Sequence, residues 1–91
     1  DPAADLGIIS AVASSAMEKA IPSDFVLIGE VGLTGEVRSV GQLKKRLKEA
    51  KALGFTQALI PHSSKQSIKP LPKGLTVKPV STVQEAFNIL F

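Results

Sequence analysis

Ten of the eleven basic side chains in this 91-residue chain fall between Arg38 and Lys78, five of them within Lys44-Lys45-Arg46-Leu47-Lys48-Glu49-Ala50-Lys51. Ammonium and guanidinium groups neutralise phosphates, and contacts of that kind hold a nucleic-acid backbone without reading its bases. At about 100° per residue on a helix, Lys44, Lys48 and Lys51 fall on one flank, with Lys45 and Arg46 farther round and Arg38 just upstream. Those six are the candidate DNA-binding residues. Five engaged phosphates predict a log-log salt slope of about −4.5 on duplex. Other chemistry is poorly supplied. His62 is the single histidine, and without a clustered carboxylate it makes no metal site. Glu30 and Glu36 flank a turn with nothing to gather a substrate around them, and Ser10, Ser14 and Ser15 lie deep in the first predicted helix, facing away from an anion site at its start.

The net charge of +3 conceals a segregation. Residues 1–37 carry six acids against Lys19, a net −5, whereas residues 38–78 carry ten bases against Glu49 alone, a net +9. The second half is therefore a candidate anion-binding face. A solvated helix face, or contact with the acidic half of a neighbouring subunit, would use the same side chains. The chain has no cysteine and so no disulfide or thiolate chemistry, which fits a reducing, cytoplasmic compartment. Four phenylalanines are its entire aromatic inventory, too few for a base-stacking platform. No apolar run approaches the ~20 residues of a membrane span, and the Asp1-Pro2 start without a basic leader argues against a signal peptide.

The elements that must position these groups follow from pattern. Asp1 is a suitable helix cap with Pro2 at the first helical position, and 3–19 reads as a helix apolar on most sides, hence buried. The run 25–28, ended by Gly29, predicts a central strand covered on both faces. Residues 31–40 read as a hairpin turning at Leu33-Thr34-Gly35. Gln42 to Leu53 predicts a second helix with Leu43, Leu47, Ala50 and Leu53 as its core stripe and Gly54 as its terminator. A strand at 55–60, a polar loop at 62–74 and an edge strand at 75–80 follow. Thr82-Val83-Gln84-Glu85 is a capping box opening the last helix, with Val83, Ala86, Phe87 and Leu90 inward. The whole chain, 1–91, reads as one α/β unit.

The order of residues around these turns is more specific than the turns themselves. Gly29-Glu30-Val31, Gly35-Glu36-Val37-Arg38, Val40-Gly41, Leu43-Lys44, Gly54-Phe55 and Ile60-Pro61 together resemble the proteolytic domain of the Lon family, and the likeness runs into the final helix. Within that superfamily, Pro2-Ala3-Ala4-Asp5-Leu6 and Gly29-Glu30-Val31-Gly32-Leu33 are most similar to the RadA (Sms) family of bacterial recombination and repair proteins.

The resemblance implies an α/β (α+β) fold of the ribosomal protein S5 domain 2-like type, a mixed sheet with three helices. It also implies a fragment of a longer protein, with N-terminal strands missing. Lon domains use a Ser–Lys dyad; Lys44 matches the lysine, but Ala3 occupies the serine position. A methyl group cannot attack a carbonyl, so the resemblance implies a pseudo-peptidase with no catalytic residue and no metal. The Pro-Ala-Ala-Asp run, with Asp5 where Lon has glycine, makes natural loss the reading. A Lon-family ATP-dependent serine peptidase fragment, inactive at Ala3, is the alternative. No phosphate-loop motif occurs here. No cofactor is expected in this domain, and ATP, Mg and Zn are expected in other regions of a DNA-dependent ATPase parent. DNA and further copies in a ring-like homo-oligomer are the expected partners, and a membrane is not.

Overall fold

The computed structural model describes residues 4–91. The expected cap at Asp1, the first-turn proline Pro2 and the Ala3 position lie outside the described residues. Strand β1 (Ala4–Asp5) leads directly into helix α1 (Leu6–Met17). Ala4 and Asp5 thus correct the expected helix start. They pair antiparallel with Val31 and Glu30, and Asp5, in extended geometry, accepts the Ile8 N–H on its carboxylate at 3.1 Å. A carboxylate acceptor at the cap satisfies one of the amides that a helix start leaves open.

Strand β2 (Phe25–Leu27) follows, then a hairpin of β3 (Glu30–Val31) and β4 (Val37–Arg38). Helix α2 (Leu43–Ala52), strand β5 (Gln57–Pro61), a 3₁₀ turn at His62–Ser64, strand β6 (Thr76–Val80) and helix α3 (Val83–Leu90) complete the chain. The three helices and the α/β composition are as expected. The strands divide into two three-stranded sheets, antiparallel β1-β3-β4 and parallel β2-β5-β6.

Side chains alternate across the parallel sheet and sort into two cores. Leu59 of β5 and Val80 of β6 join Leu6, Val31, Val37, Ala86 and Leu90 on the side of α1, the hairpin and α3. Ala58 and Ile60 join Ile28, Leu43, Leu47, Ile68 and Leu75 on the side of α2. In β2, Phe25 and Leu27 pack toward the first cluster and Val26 toward the second. The apolar run packs toward both cores, but Phe25, Val26 and Leu27 are only half-buried, and the expected central position does not hold: β5 is central and β2 an edge. An apolar run reports covered faces; it carries no information about which edge is paired. Lys78 of β6 reaches across β5, its Nζ 5.7 Å from the centroid of the Phe25 ring.

Two further corrections concern helix faces. Helix α1 is not buried all round: Leu6 and Ser10 are enclosed, while Ile8 and Val12 are each 65% exposed. In α2, Leu43, Leu47 and Ala50 are buried as expected, but Leu53 is 79% exposed. Leu53 is the residue capping the helix end, and ten positions of 100° carry it about 80° off the stripe set by Leu43. Gly54 then takes φ +98, a conformation that L side chains resist. The capping box is present: Thr82 Oγ1 accepts the Glu85 N–H at 3.1 Å, and Glu85 accepts the Thr82 N–H at 3.0 Å.

Candidate anion-binding groove

Helix α2 begins abruptly. Gln42 sits at its cap in left-handed geometry, φ 61, and makes no side-chain capping bond. The first turn therefore presents its amides, with the positive end of the helix dipole, where Lys44 and Lys45 also project. Facing this turn is the segment after β5. Together they enclose a groove of about 510 Å³ lined by Val40, Gln42, Leu43, Lys44, Lys45, Lys48, Ser64 and Ser67. Its floor is apolar and its walls carry cations and hydroxyls.

Hydroxyl groups tie the facing wall in place. Ser39 Oγ, at the end of the strand leading to α2, lies 2.7 Å from Ser63 Oγ and accepts from Ser64 Oγ at 3.1 Å. Ser67 Oγ donates to the Ser64 carbonyl at 2.9 Å. Ile68 of the same segment is buried against Leu43 and Leu47. The loop is thus pinned by an apolar anchor and a short chain of hydroxyls. Pattern reading treats 62–74 only as a polar loop; a serine at 64 and another at 67, one 3₁₀ turn apart, is the signal it passes over.

The six cations chosen from sequence separate in space. Lys44, Lys45 and Lys48 share the groove and are exposed. Lys51 continues the same flank and folds over Gly74, where its Nζ would stand 2.9 Å from any added Cβ. Arg46 turns to the opposite flank of α2, beside Glu49 and Leu53. Arg38 lies in the other sheet, where its Nε and Nη2 donate to Glu36 Oε2 at 3.0 and 2.8 Å. Glu36 also accepts from Thr34 Oγ1 at 2.6 Å. The Thr34 hydroxyl and then the Arg38 guanidinium hold the Glu36 carboxyl at about 2, below its usual 4.5.

His62 is exposed at the start of the 3₁₀ turn. Glu30 stands opposite Arg38 in the hairpin register, so the two acids flank a salt-bridged turn rather than a cavity. Among the described residues no three His, Cys, Asp or Glu side chains come together, and no helix is long and apolar enough to cross a membrane. Lys44 is exposed rather than desolvated, whereas a lysine that serves as a base is held away from water. Ammonium groups, hydroxyls and open amides around one groove suit anion binding.

The chain matches the Lon protease (S16) C-terminal proteolytic domain over residues 1–91. Among curated proteins it is 52% identical over 91 residues to the DNA repair protein RadA of Aquifex aeolicus, covering 100% of this chain and 20% of that protein. It is 41% identical to the RadA of Chlamydia pneumoniae, with 99% and 20% covered, and 41% identical to that of Pseudomonas aeruginosa, with 100% and 20% covered. The chain thus spans about a fifth of the length of these relatives. The likeness carried by the hairpin-to-helix residues is borne out.

Proposed function

The chain belongs to the family of the Lon protease C-terminal proteolytic domain, and from that premise we propose that it is a non-catalytic Lon-like module of a RadA-type DNA repair and recombination protein. It holds the phosphate backbone of DNA along the basic flank of α2 and contributes to assembly of the parent into an oligomer. The observation that carries this reading is the convergence of Lys44, Lys45 and Lys48 with Ser64 and Ser67 on one open groove. Lys51 extends the same flank. An open, cation-walled groove suits a continuous polyanion better than an enclosed small molecule. The domain itself uses no cofactor; ATP hydrolysis, with its Mg, and any Zn site are assigned to other regions of the parent.

Four engaged phosphates give a log-log salt slope of about −3.6 on duplex DNA. Titration of the chain with a duplex at several salt concentrations measures it, and the double change Lys45→Glu with Lys48→Glu flattens the slope by about two units. A slope indistinguishable from zero, or one untouched by that change, rejects the groove as the DNA contact.

The peptidase alternative keeps Lys44 but has Ala3 where the attacking hydroxyl would stand. Hydrolysis of an unfolded protein by the chain, lost in Lys44→Ala, would revive it. No hydrolysis is the expected result.

A further inference from the structure

We propose that the segment between β5 and β6, residues 62–74, is the second wall of the polyanion site: Lys65, Lys69 and Lys73 hold phosphates across a trough from the lysines of α2. This second wall rests on the DNA contact proposed above. It adds three residues to that contact and gives the nucleic acid a path along the whole helix.

The segment runs beside α2 from end to end. Ser64 and Ser67 line the groove around the start of the helix, with Gln42, Lys44, Lys45 and Lys48. Ile68 is buried with Leu43 and Leu47, and Leu75, just before β6, belongs to the same core. Gly74 lies at the other end of α2: a Cβ built on it would stand 2.9 Å from Lys51 Nζ and 3.0 Å from Lys51 Cε. Position along the segment therefore follows position along α2, and a helix of 10 residues makes the seam about 15 Å long. The segment is fixed at its start by the hydroxyls of Ser39, Ser63 and Ser64, in its middle by Ile68, and at its exit by the Thr76 N–H, which donates to the Thr56 carbonyl at 2.9 Å. A wall held at three points orders little more when a ligand arrives.

Both walls carry one sign. Lys65, Lys69 and Lys73 are exposed, and 62–74 contains no acid. Glu49, the single acid of α2, borders the slot on the opposite flank. Among the described residues, neither the three lysines of the segment nor Lys44, Lys45, Lys48 and Lys51 form a salt bridge. Two cationic elements packed along one seam repel each other in the free protein, and a polyanion lying between them turns that repulsion into attraction from both sides. An isolated small anion would neutralise one end of a 15 Å seam only; a continuous phosphate backbone neutralises all of it.

Salt titration with a duplex tests the second wall. The four lysines of α2 account for a log-log slope of about −3.6, and three further contacts carry the wild type to about −6.3. The triple change Lys65→Gln, Lys69→Gln and Lys73→Gln returns the slope to about −3.6. All three positions are exposed and lie outside the helices and strands, and circular dichroism verifies that the variant is folded. Lys19→Gln, which removes the one lysine of the acidic half, leaves the slope unchanged. Hydrogen exchange supplies a readout independent of affinity: saturating duplex slows the amides of 62–74 together with those at the start of α2. A wild-type slope near −3.6, a triple variant with the wild-type slope, a Lys19→Gln effect as large as that of the triple, or protection confined to α2 each overturns the second wall. The contact on α2 survives those results so long as Lys45→Glu with Lys48→Glu still flattens the slope. A slope untouched by that double change removes the DNA contact itself, and the second wall with it.

Discussion

Helix α2 separates two grooves of opposite character. On the flank of Lys44 and Lys48 it faces the serine-bearing segment after β5, and the groove of about 510 Å³ is polar and cationic. On the flank of Arg46 and Leu53 it faces the apolar edge strand β2, and the groove of about 270 Å³ is largely greasy. The helix supplies cations to both, so its composition does not make the difference. What faces it does. A run of basic residues in sequence is therefore not one patch: three lysines line one groove, one arginine borders an apolar slot, and Arg38 is paired with Glu36 in another sheet.

The severest way to break the comparison is to remove the side chain beneath both grooves. Leu47 is completely buried, and Leu47→Ala costs about 3 kcal/mol, lowering the melting temperature of a domain this small on the order of 15 °C. Thermal denaturation measures it, and both grooves should fail together. Next is a contrast of flanks. Lys45→Glu with Lys48→Glu weakens DNA binding at low salt on the order of a hundredfold, whereas Leu53→Asp, on the other flank, leaves it unchanged. Filter binding with the two variants side by side separates the flanks.

A smaller effect sharpens the contrast at the hairpin. Because the Glu36 carboxyl is held at about 2 rather than 4.5, its contribution to stability is complete above about pH 4.5. It declines as pH falls from there and is lost through about pH 2. The Glu36 side-chain carbon resonance, followed by acid titration, should show a midpoint near 2, and Thr34→Ala should move that midpoint upward. The smallest change is Ser10→Ala. Ser10 Oγ is fully buried and finds no hydrogen-bond partner among the described residues. Its removal should leave stability unchanged or raise it by about 1 kcal/mol in urea unfolding, with no effect on either groove.

Much of the scaffold was legible because local chemistry decides it. The Thr82–Glu85 capping box, the turn at Gly35 with φ +83 and the end of α2 at Gly54 each follow from a residue type at a fixed offset. The core positions Leu43, Leu47 and Ala50 follow from period alone. What escaped depends on partners far away in sequence. Hydrophobic content cannot reveal that Ile8 and Val12 face outward, because neighbours rather than composition decide which side of α1 is covered. The same holds for the edge position of β2. The candidate site was half legible: the angular sorting of Lys44, Lys48 and Lys51 comes from helix geometry, but Ser64 and Ser67 enter only through a fold-back anchored at Ile68. The diversion of Arg38 depends on an acid two residues away with the right rotamer.

The contact of the Lys78 ammonium with the Phe25 ring spans the outer strands of the parallel sheet and passes over the middle one. Such a strap makes the two borders report on each other: peeling away either one frees the contact that steadies its counterpart. Amide protons of β5 should then escape to solvent only when the sheet opens as a whole, giving them the slowest exchange in the molecule. Neutralising the strap with Lys78→Met should let the borders fray separately and hasten exchange there first.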